Sequence, residues 1–373
     1  VIKVGVLTSS RADYGIYLPL LKAMKQDDEL DLKLIVFGTH LSKFHGYTLS
    51  EIETDGFGVY KKIESLLLGD SPNAVSSSYA LTCLKFSEFW EESQGKFDLV
   101  FALGDRFEMA AAVAASVPYQ VKIAHLHGGE TTLGAIDNVY RHSISLSSTI
   151  HFVSTESFKD RLIQLLDNKT ARIFNVGSLS LENLTTLRLL TLNEFLEKWG
   201  IDLRIDTILV TVHPETVSFR QNEKYCEQVS LALDQLSARY QIVITMPNAD
   251  TSGTVFRSAF ELLSKKHDSI KLIENFGTQS YFTCMKYSRL MIGNTSSGIV
   301  EASSFRKYVL NLGDRQRGRL SGQNVIHIPF VAEAIVDTAE RYLQREFNGV
   351  NLYYQPNPSK KILDIIKEYN ATF

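Results

Sequence analysis

What most constrains this chain is a recurring rhythm in which short runs rich in Val, Ile and Phe alternate with longer amphipathic stretches. The runs "IKVGVLT" (2–8), "LKLIVF" (32–37), "DLVFALG" (98–104), "VKIAHL" (121–126), "IHFVS" (150–154) and "RIFNVG" (172–177) form a first series. Short continuous apolar runs separated by helical patterns read as strands of a parallel sheet covered on both faces. After "SLSLENLTTLRLL" the rhythm restarts with "TILVTV" (207–212), "QIVITM" (241–246), "IKLIEN" (270–275), "RLMIGN" (289–294), "YVLNLG" (308–313) and "NVIHIP" (324–329). A chain of 373 residues also exceeds the roughly 100 to 200 residues usual for one domain. The expected fold class is therefore α/β, with two Rossmann-like doubly wound domains and a central cleft. Residues 1–180 and 181–353 are the expected domains, with the junction near 178–200.

Composition matters here for what it excludes. A net charge of −3 with 22% charged residues and no basic block gives neither nucleic acid nor a membrane surface a large electrostatic footprint, so any phosphate binding has to be local. Cys83, Cys226 and Cys284 are widely spaced and odd in number, against both a disulfide framework and a zinc knuckle. A reducing cytoplasm is the expected location. The opening run is too short to span a membrane and reads as a first strand rather than a leader.

In open α/β sheets ligands bind outside the carboxyl ends of the strands, so the informative residues are those just after the runs. Arg11 and Asp13, Asp105 and Arg106, His213, Asn248, Thr295-Ser296-Ser297 and Arg315 all occupy such positions. In "GNTSSGIVEAS" (293–303) a strand end passes into a helix start, which offers unpaired N–H groups and the positive end of a helix dipole to a phosphate. The plainer reading is that Thr295 or Ser296 caps the helix. Glu301 lies about one turn further on, where a carboxylate can hold ribose hydroxyls. Neither GxGxxG after a first strand nor GxxxxGK[ST] is present, which leaves a nucleoside diphosphate as a sharper expectation than NAD or ATP.

The stretch "HLHGGETTLGAIDNVYRHS" (125–143) concentrates ionisable groups around a double glycine. A two-residue period puts His125 and His127 on one face, and with Glu130 they resemble a ligand set, but no tight HExxH-like pattern follows, so no metal is expected. Gly128 and Gly129 are expected to let the backbone approach a ligand closely. Asp137 and Arg141, four apart, have a surface ion pair as their simplest reading. Asp105 ends an apolar strand, where an isolated carboxylate needs a partner or a task. Trp90 and Trp199 read as core or interdomain filling, and His40 and His45 as surface residues of a loop.

The segments "SSRADYGIYLPLLKAM", "LGDRFEMAAAV", "HGGETTLGAIDNVYRHSIS", "VTVHPET", "PNAD", "GNTSSGIVEA" and "LGDRQRGR", in that order, resemble the hydrolysing UDP-N-acetylglucosamine 2-epimerases of sialic-acid pathways. The resemblance runs from about residue 3 to about residue 335. It implies a glycosyltransferase-B-like arrangement in which the last segment (354–373), with "SKKILDIIKEYN", packs back on the first domain. It implies anti elimination of UDP across C1 and C2 of the sugar, hydration of the glycal, and release of N-acetylmannosamine and UDP. It also implies no metal or nicotinamide cofactor and a homo-oligomer, dimer or tetramer. Carried over position by position, Asp105 and Asp137 match catalytic carboxylates and His213 a histidine facing the diphosphate. Arg11, Asn248, Thr295, Ser296, Ser297, Glu301 and Arg315 match UDP contacts, with Tyr281 where an aromatic packs on uracil. The family's usual His-Ile-Glu-Gly-Gly-Glu differs here, because His127 stands at the first glutamate.

Elimination needs a base for the C2 proton and hydration needs a proton donor and a base for water. Carboxylates on both sides of the ring can serve, as in glycoside hydrolysis, and His127 or Glu130 fills the remaining proton-transfer role, with His127 favoured. Positioned donors at 295–297, His213 and Arg315 would stabilise the leaving diphosphate. UDP-N-acetylglucosamine is the first expected substrate. The alternative is UDP-2,4-diacetamido-2,4,6-trideoxyglucose (UDP-N,N'-diacetylbacillosamine) of legionaminic-acid synthesis, and a UDP-sugar glycosyltransferase is the second.

Overall fold

The computed structural model describes residues 1–69, 71–215, 219–247 and 253–370. The chain divides into two compact units. The first comprises Val1–Glu130, Asp137–Thr186 and the residues from Tyr353 on, and the second comprises Thr131–Ile136 and Leu187–Leu352.

The first unit is built on seven parallel strands: β1 (Ile2–Thr8), β2 (Leu30–Phe37), β3 (Val59–Ile63), β4 (Leu99–Leu103), β5 (Ile123–Leu126), β6 (Ile150–Val153) and β7 (Ile173–Asn175). Their order across the sheet is β3-β2-β1-β4-β5-β6-β7. Apolar side chains leave both faces, as a doubly covered sheet requires. On one face Val4, Val6, Phe101 and Phe152 meet Tyr17, Leu20 and Leu21, while on the other Leu7, Ile35, Val100 and Ile123 meet Phe86, Trp90 and Met109. Trp90 fills this second core and donates its indole N–H to the Ala112 carbonyl at 3.0 Å. The periodicity argument omits β3, whose "VYKKI" is an edge strand with only Ile63 buried. Lys61 and Lys62 pair outward with Glu92 and Glu53, the kind of charged edge that resists pairing with another chain.

The second unit repeats the plan with β8 (Thr207–Thr211), β9 (Gln241–Thr245), β10 (Ile270–Ile273), β11 (Leu290–Gly293), β12 (Val309–Leu312) and β13 (Val325–Ile328). Its order is β10-β9-β8-β11-β12-β13. Ile208, Val210, Ile242, Ile244, Leu290 and Ile292 meet Val229, Leu233, Phe256 and Phe260 in its core. Trp199 packs edge-on against Phe276, with ring centroids 4.8 Å apart.

The junction lies after Thr186 rather than at 180, because the helix Leu179–Thr186 packs on the helix Arg11–Lys25 and Asn183 donates to the Gly15 carbonyl at 2.9 Å. The chain rejoins the first unit at Tyr353, whose carbonyl accepts from Ser178 N–H at 3.0 Å. Its terminal helix, Pro358–Asn370, brings Ile362 and Ile366 into the core holding Leu20 and Leu21. The six residues 131–136 depart most from a simple division. They pack with the second unit, where Leu133 N–H donates to the Arg317 carbonyl at 2.8 Å. A Cβ on Gly134 would stand 2.0 Å from the Asp314 carbonyl oxygen. Among the described residues no helix is long and apolar enough to cross a membrane.

Each sheet reverses its winding direction once, between β1 and β4 in the first unit and between β8 and β11 in the second. A doubly wound sheet opens a crevice at such a switch point, where the two flanking helices leave in opposite directions. The residues that follow β1, β4, β8 and β11 are accordingly the ones placed for a ligand.

Candidate active site

In the first unit, Gly104 turns the chain out of β4 with φ +75° and sets Asp105 at the strand end. The turn is pinned from β5, where His125 lies 2.9 Å through Nε2 from the Gly104 carbonyl and 3.0 Å through Nδ1 from Ser145 Oγ. Burial pushes this imidazole down to about 3, so it is neutral and both nitrogens are engaged within the protein. His125 is a structural pin and not a candidate ligand.

His127 does not share its face. The strand ends at Leu126, and His127 adopts the left-handed region with φ +63°, a conformation costly for a residue with a Cβ and held only by fixed surroundings. Its N–H donates to the Phe152 carbonyl at 2.9 Å and its own carbonyl accepts from Arg141 Nη1 at 3.0 Å. The ring turns to Glu130, with Nδ1 3.0 Å from Oε1, and Nε2 is buried with no hydrogen-bond partner among the described residues.

The double glycine serves this turn, and the approach it permits is to protein rather than to ligand. A Cβ on Gly128 would stand 2.9 Å from His125 Nδ1. One on Gly129, at φ +76°, would stand 2.4 Å from the Phe158 carbonyl oxygen.

Arg141 is a second departure from expectation. It is 2% exposed rather than a surface partner of Asp137. One guanidinium nitrogen pairs with Asp105 and the other lies 3.4 Å from Glu130 Oε2. Asp105, Arg141, Glu130 and His127 thus form one connected chain. The sequence does carry a signal for Arg141, because in the helix Asp137–Leu146 it shares the buried face with Ile144 and Ser145, and a charge on an apolar face must be paired. Asp137 opens this helix and lies close enough to Tyr140 for its charge to raise the phenol, an effect led by burial.

Elsewhere in the first unit Arg11 pairs with Glu51 at 3.0 Å. Asp13 is buried and accepts from Ser9 N–H and Oγ, with burial holding its carboxyl above the usual range. His40 is fully buried rather than a surface residue. Its ring bonds Thr8 and Thr48 hydroxyls at 2.9 and 2.7 Å, and burial, reinforced by the Arg106 charge, pushes it down to about 4. Its partners Thr8 and Tyr14 are distant in sequence, which hides its burial from a local pattern. The side chain of His45 lies outside what the structure describes.

In the second unit a buried asparagine organises the ends of β8 and β11. Asn294 accepts from His213 N–H at 2.7 Å and donates to the His213 carbonyl at 2.8 Å, while its own carbonyl accepts from Gln316 at 2.9 Å. Gly293 permits this closeness, since a Cβ there would stand 1.9 Å from the Thr211 carbonyl oxygen. Thr295 occupies the N-cap position of the helix Ser296–Val300 but makes no capping bond with its side chain. The helix has five residues, so what it offers an anion is its first N–H groups rather than a long macrodipole.

Ser297 Oγ lies 2.7 Å from the Tyr281 hydroxyl, which also lies 3.5 Å from Thr211 Oγ1. Burial pushes the phenol up to about 12, so it remains a neutral donor and acceptor. Glu301 closes the helix and is 7% exposed. Arg315 donates to the Pro214 carbonyl at 2.9 Å, and the Asp314 N–H donates to the buried carboxylate of Glu215 at 2.6 Å. These bonds join the loop after β12 to the one carrying His213. Asn248 lies outside the described residues.

The chain matches the family model described as UDP-N-acetylglucosamine 2-epimerase over residues 22–367. It belongs to that family. A Campylobacter jejuni relative named "GDP/UDP-N,N'-diacetylbacillosamine 2-epimerase (hydrolyzing)" is 36% identical over 87% of this chain and 83% of its own. The Escherichia coli "Polysialic acid biosynthesis protein P7" is 32% identical over 98% of this chain and 94% of its own. A Legionella pneumophila relative named "UDP-N,N'-diacetylbacillosamine 2-epimerase (hydrolyzing)" is 32% identical over 98% and 95%. The fold is shared with the Neisseria meningitidis UDP-GlcNAc 2-epimerase solved with UDP-GlcNAc, at TM-score 0.80 and 17% identity over 98% of this chain and all of that one. The epimerase therefore has a glycosyltransferase-B-like fold in having two tandem Rossmann-type units. It is a hydrolysing enzyme acting on a UDP-sugar.

Proposed function

We propose that this epimerase acts on UDP-2,4-diacetamido-2,4,6-trideoxyglucose, removes UDP by anti elimination, and hydrates the glycal with inversion at C2. The observation that carries the chemistry is the chain Asp105–Arg141–Glu130–His127, buried at Arg141 and Glu130, which ends in an imidazole nitrogen with no partner among the described residues. A base takes the C2 proton as the C1–O bond breaks and UDP leaves. Water then adds at C1 while a proton returns to C2 from the opposite face, giving a free sugar of manno configuration. His127 carries one of these protons, and Asp105 and Asp137 serve the others. The N–H groups at 295–297, His213 and Arg315 stabilise the leaving diphosphate. Arg11, Asn248, Tyr281, Ser296 and Glu301 hold the nucleotide.

The choice of sugar is supported by two relatives named for diacetylbacillosamine. That reverses the order expected from sequence, where UDP-N-acetylglucosamine came first. A Neisseria meningitidis relative named "UDP-N-acetylglucosamine 2-epimerase", 29% identical over 90% of this chain, favours UDP-N-acetylglucosamine as the second reading. NMR of products formed in D₂O from each sugar nucleotide, and from the GDP form of the diacetamido sugar, separates them. The expected result is nucleoside diphosphate released without any acceptor, a C2-deuterated manno product, and the largest kcat/KM for the UDP-diacetamido sugar. A larger kcat/KM for UDP-N-acetylglucosamine would install the second reading. Dependence of UDP release on an added acceptor would overturn the elimination mechanism.

A further inference from the structure

We propose that Glu130 is a positioning residue that fixes His127 as the Nδ1–H tautomer and aims its unprotonated Nε2 as the proton carrier for the sugar. The inference rests on the elimination reading above and assigns a task to a carboxylate that need not touch the substrate.

The tautomer follows from the donors around Glu130. Its Oε1 accepts from Ser154 Oγ at 3.2 Å and stands 3.0 Å from His127 Nδ1, while its Oε2 faces Arg141 Nη1 at 3.4 Å. A carboxylate is an acceptor only, so the imidazole nitrogen facing it must be the donor. In the neutral ring the other nitrogen then holds the lone pair. That nitrogen is Nε2, which is buried and has no partner among the described residues, and a buried acceptor left without a partner is rare unless something else uses it. The opposite tautomer would place two acceptors against each other at 3.0 Å.

The backbone removes the remaining freedom. Held at φ +63° by the Phe152 carbonyl on one side and Arg141 on the other, His127 cannot rejoin the face of β5. Arg141 also pairs with Asp105, so one guanidinium registers the carboxylate that orients the histidine with the carboxylate at the end of β4. This is the logic by which a buried acid orients a catalytic imidazole in hydrolases without itself taking the proton.

The test has two arms on the full chain. Nitrogen-15 histidine NMR, with His127 assigned by its loss in His127→Gln, reads the tautomer directly and needs no turnover, so a wrong substrate does not affect it. The expected spectrum has a protonated Nδ1 and a free Nε2 in the wild type, and a mixed tautomer in Glu130→Gln. A wild-type His127 protonated at Nε2 overturns the proposal.

The second arm is a double-mutant cycle measured as UDP release on the preferred sugar. Glu130→Gln is expected to lower kcat by about 10²-fold with KM within about threefold in the wild type, as for loss of a transition-state interaction. In a His127→Gln background it is expected to cost less than about threefold, because no imidazole is left to orient. Equal losses in both backgrounds mean a purely structural role and overturn the proposal. Should Glu130→Gln fail to fold, the wild-type tautomer still decides. Absence of UDP release from any sugar nucleotide, beside the expected tautomer, would instead count against the elimination reading.

Discussion

Replacing Arg141 with leucine is the perturbation that reaches the most of this site. The guanidinium is 2% exposed and serves three acceptors, Asp105, Glu130 and the His127 carbonyl. Leucine leaves two carboxylates without the guanidinium they share, and removing one partner of a buried ion pair costs about 3–5 kcal/mol. The Asp105 side chain keeps 27% exposure and can take up water, which places the cost near the lower end, about 3 kcal/mol. The first unit has about 200 residues, and for that size each kcal/mol lowers Tm by about 2–4 °C, so a fall of about 6–12 °C is expected. Turnover should fall by about 10²-fold, the usual consequence of displacing positioned groups by about 1 Å. Arg141→Lys separates the two effects, because it keeps the charge but a single ammonium cannot hold two carboxylates and a carbonyl in a fixed fork. Most of the Tm should return while most of the kcat loss remains. Calorimetry together with initial rates of UDP release, taken where both variants are folded, provides the assay. If Arg141→Leu keeps its Tm within about 2 °C and its turnover within about threefold, the guanidinium is not compensating these carboxylates and the reasoning fails.

Three further outcomes can be checked separately. Asn294→Ala removes both bonds that hold the His213 backbone and leaves buried polar groups unpaired at about 1–3 kcal/mol; the KM for the UDP-sugar should rise, read by initial-rate kinetics. Gly129→Ala sets a Cβ against the Phe158 carbonyl, whereas Gly200, also at positive φ, has nothing within 4 Å. Gly129→Ala should therefore lower Tm by more than Gly200→Ala, which bears only the left-handed cost of about 1 kcal/mol; equal shifts would contradict the close approach. Finally, His125, His40 and His151 are buried with folded values near 3, 4 and 4, against 6.5 unfolded. Between those values the unfolded chain binds more protons, so stability is full above about pH 6.5 and is lost as pH falls toward 4. His125 alone contributes on the order of 4 kcal/mol to that loss, and a melting series on His125→Gln should show a shallower acid limb than the wild type.

The strands were legible because buried parallel strands are apolar throughout, and every run read from sequence overlaps a strand of the two sheets. The strand that was not read, β3, lies at an edge and carries Lys61 and Lys62 outward. The strand-end rule also located Asp105, His213 and the 293–297 turn. The two-residue period failed at His127, because it holds only while the backbone stays extended, and here the strand ends one residue earlier and His127 has a positive φ. The surface reading of His40 failed too, because its ring is held by the hydroxyls of Thr8 and Thr48, 32 and 8 residues away. Arg141 was hidden for a related reason. Its partners Asp105 and Glu130 lie 36 and 11 residues away, while the nearer Asp137 gives the spacing that helix rules recognise.

The residue at which this chain departs from its family's usual pattern is also the one that the geometry makes chemically specific. A glutamate at 127 would bring a second carboxylate against Glu130 beneath a single guanidinium already shared with Asp105. Two carboxylates at that separation cannot both ionise readily. A histidine meets Glu130 as a donor instead, and the pair needs no proton held between like charges. On this argument His127→Glu should be poorly tolerated while Glu130 is present and recover when Glu130→Gln is added, so that the double variant melts above the single one. A single variant more stable than the double would mean that a carboxylate at 127 does not oppose Glu130 and that the imidazole is not what lets Glu130 stay ionised.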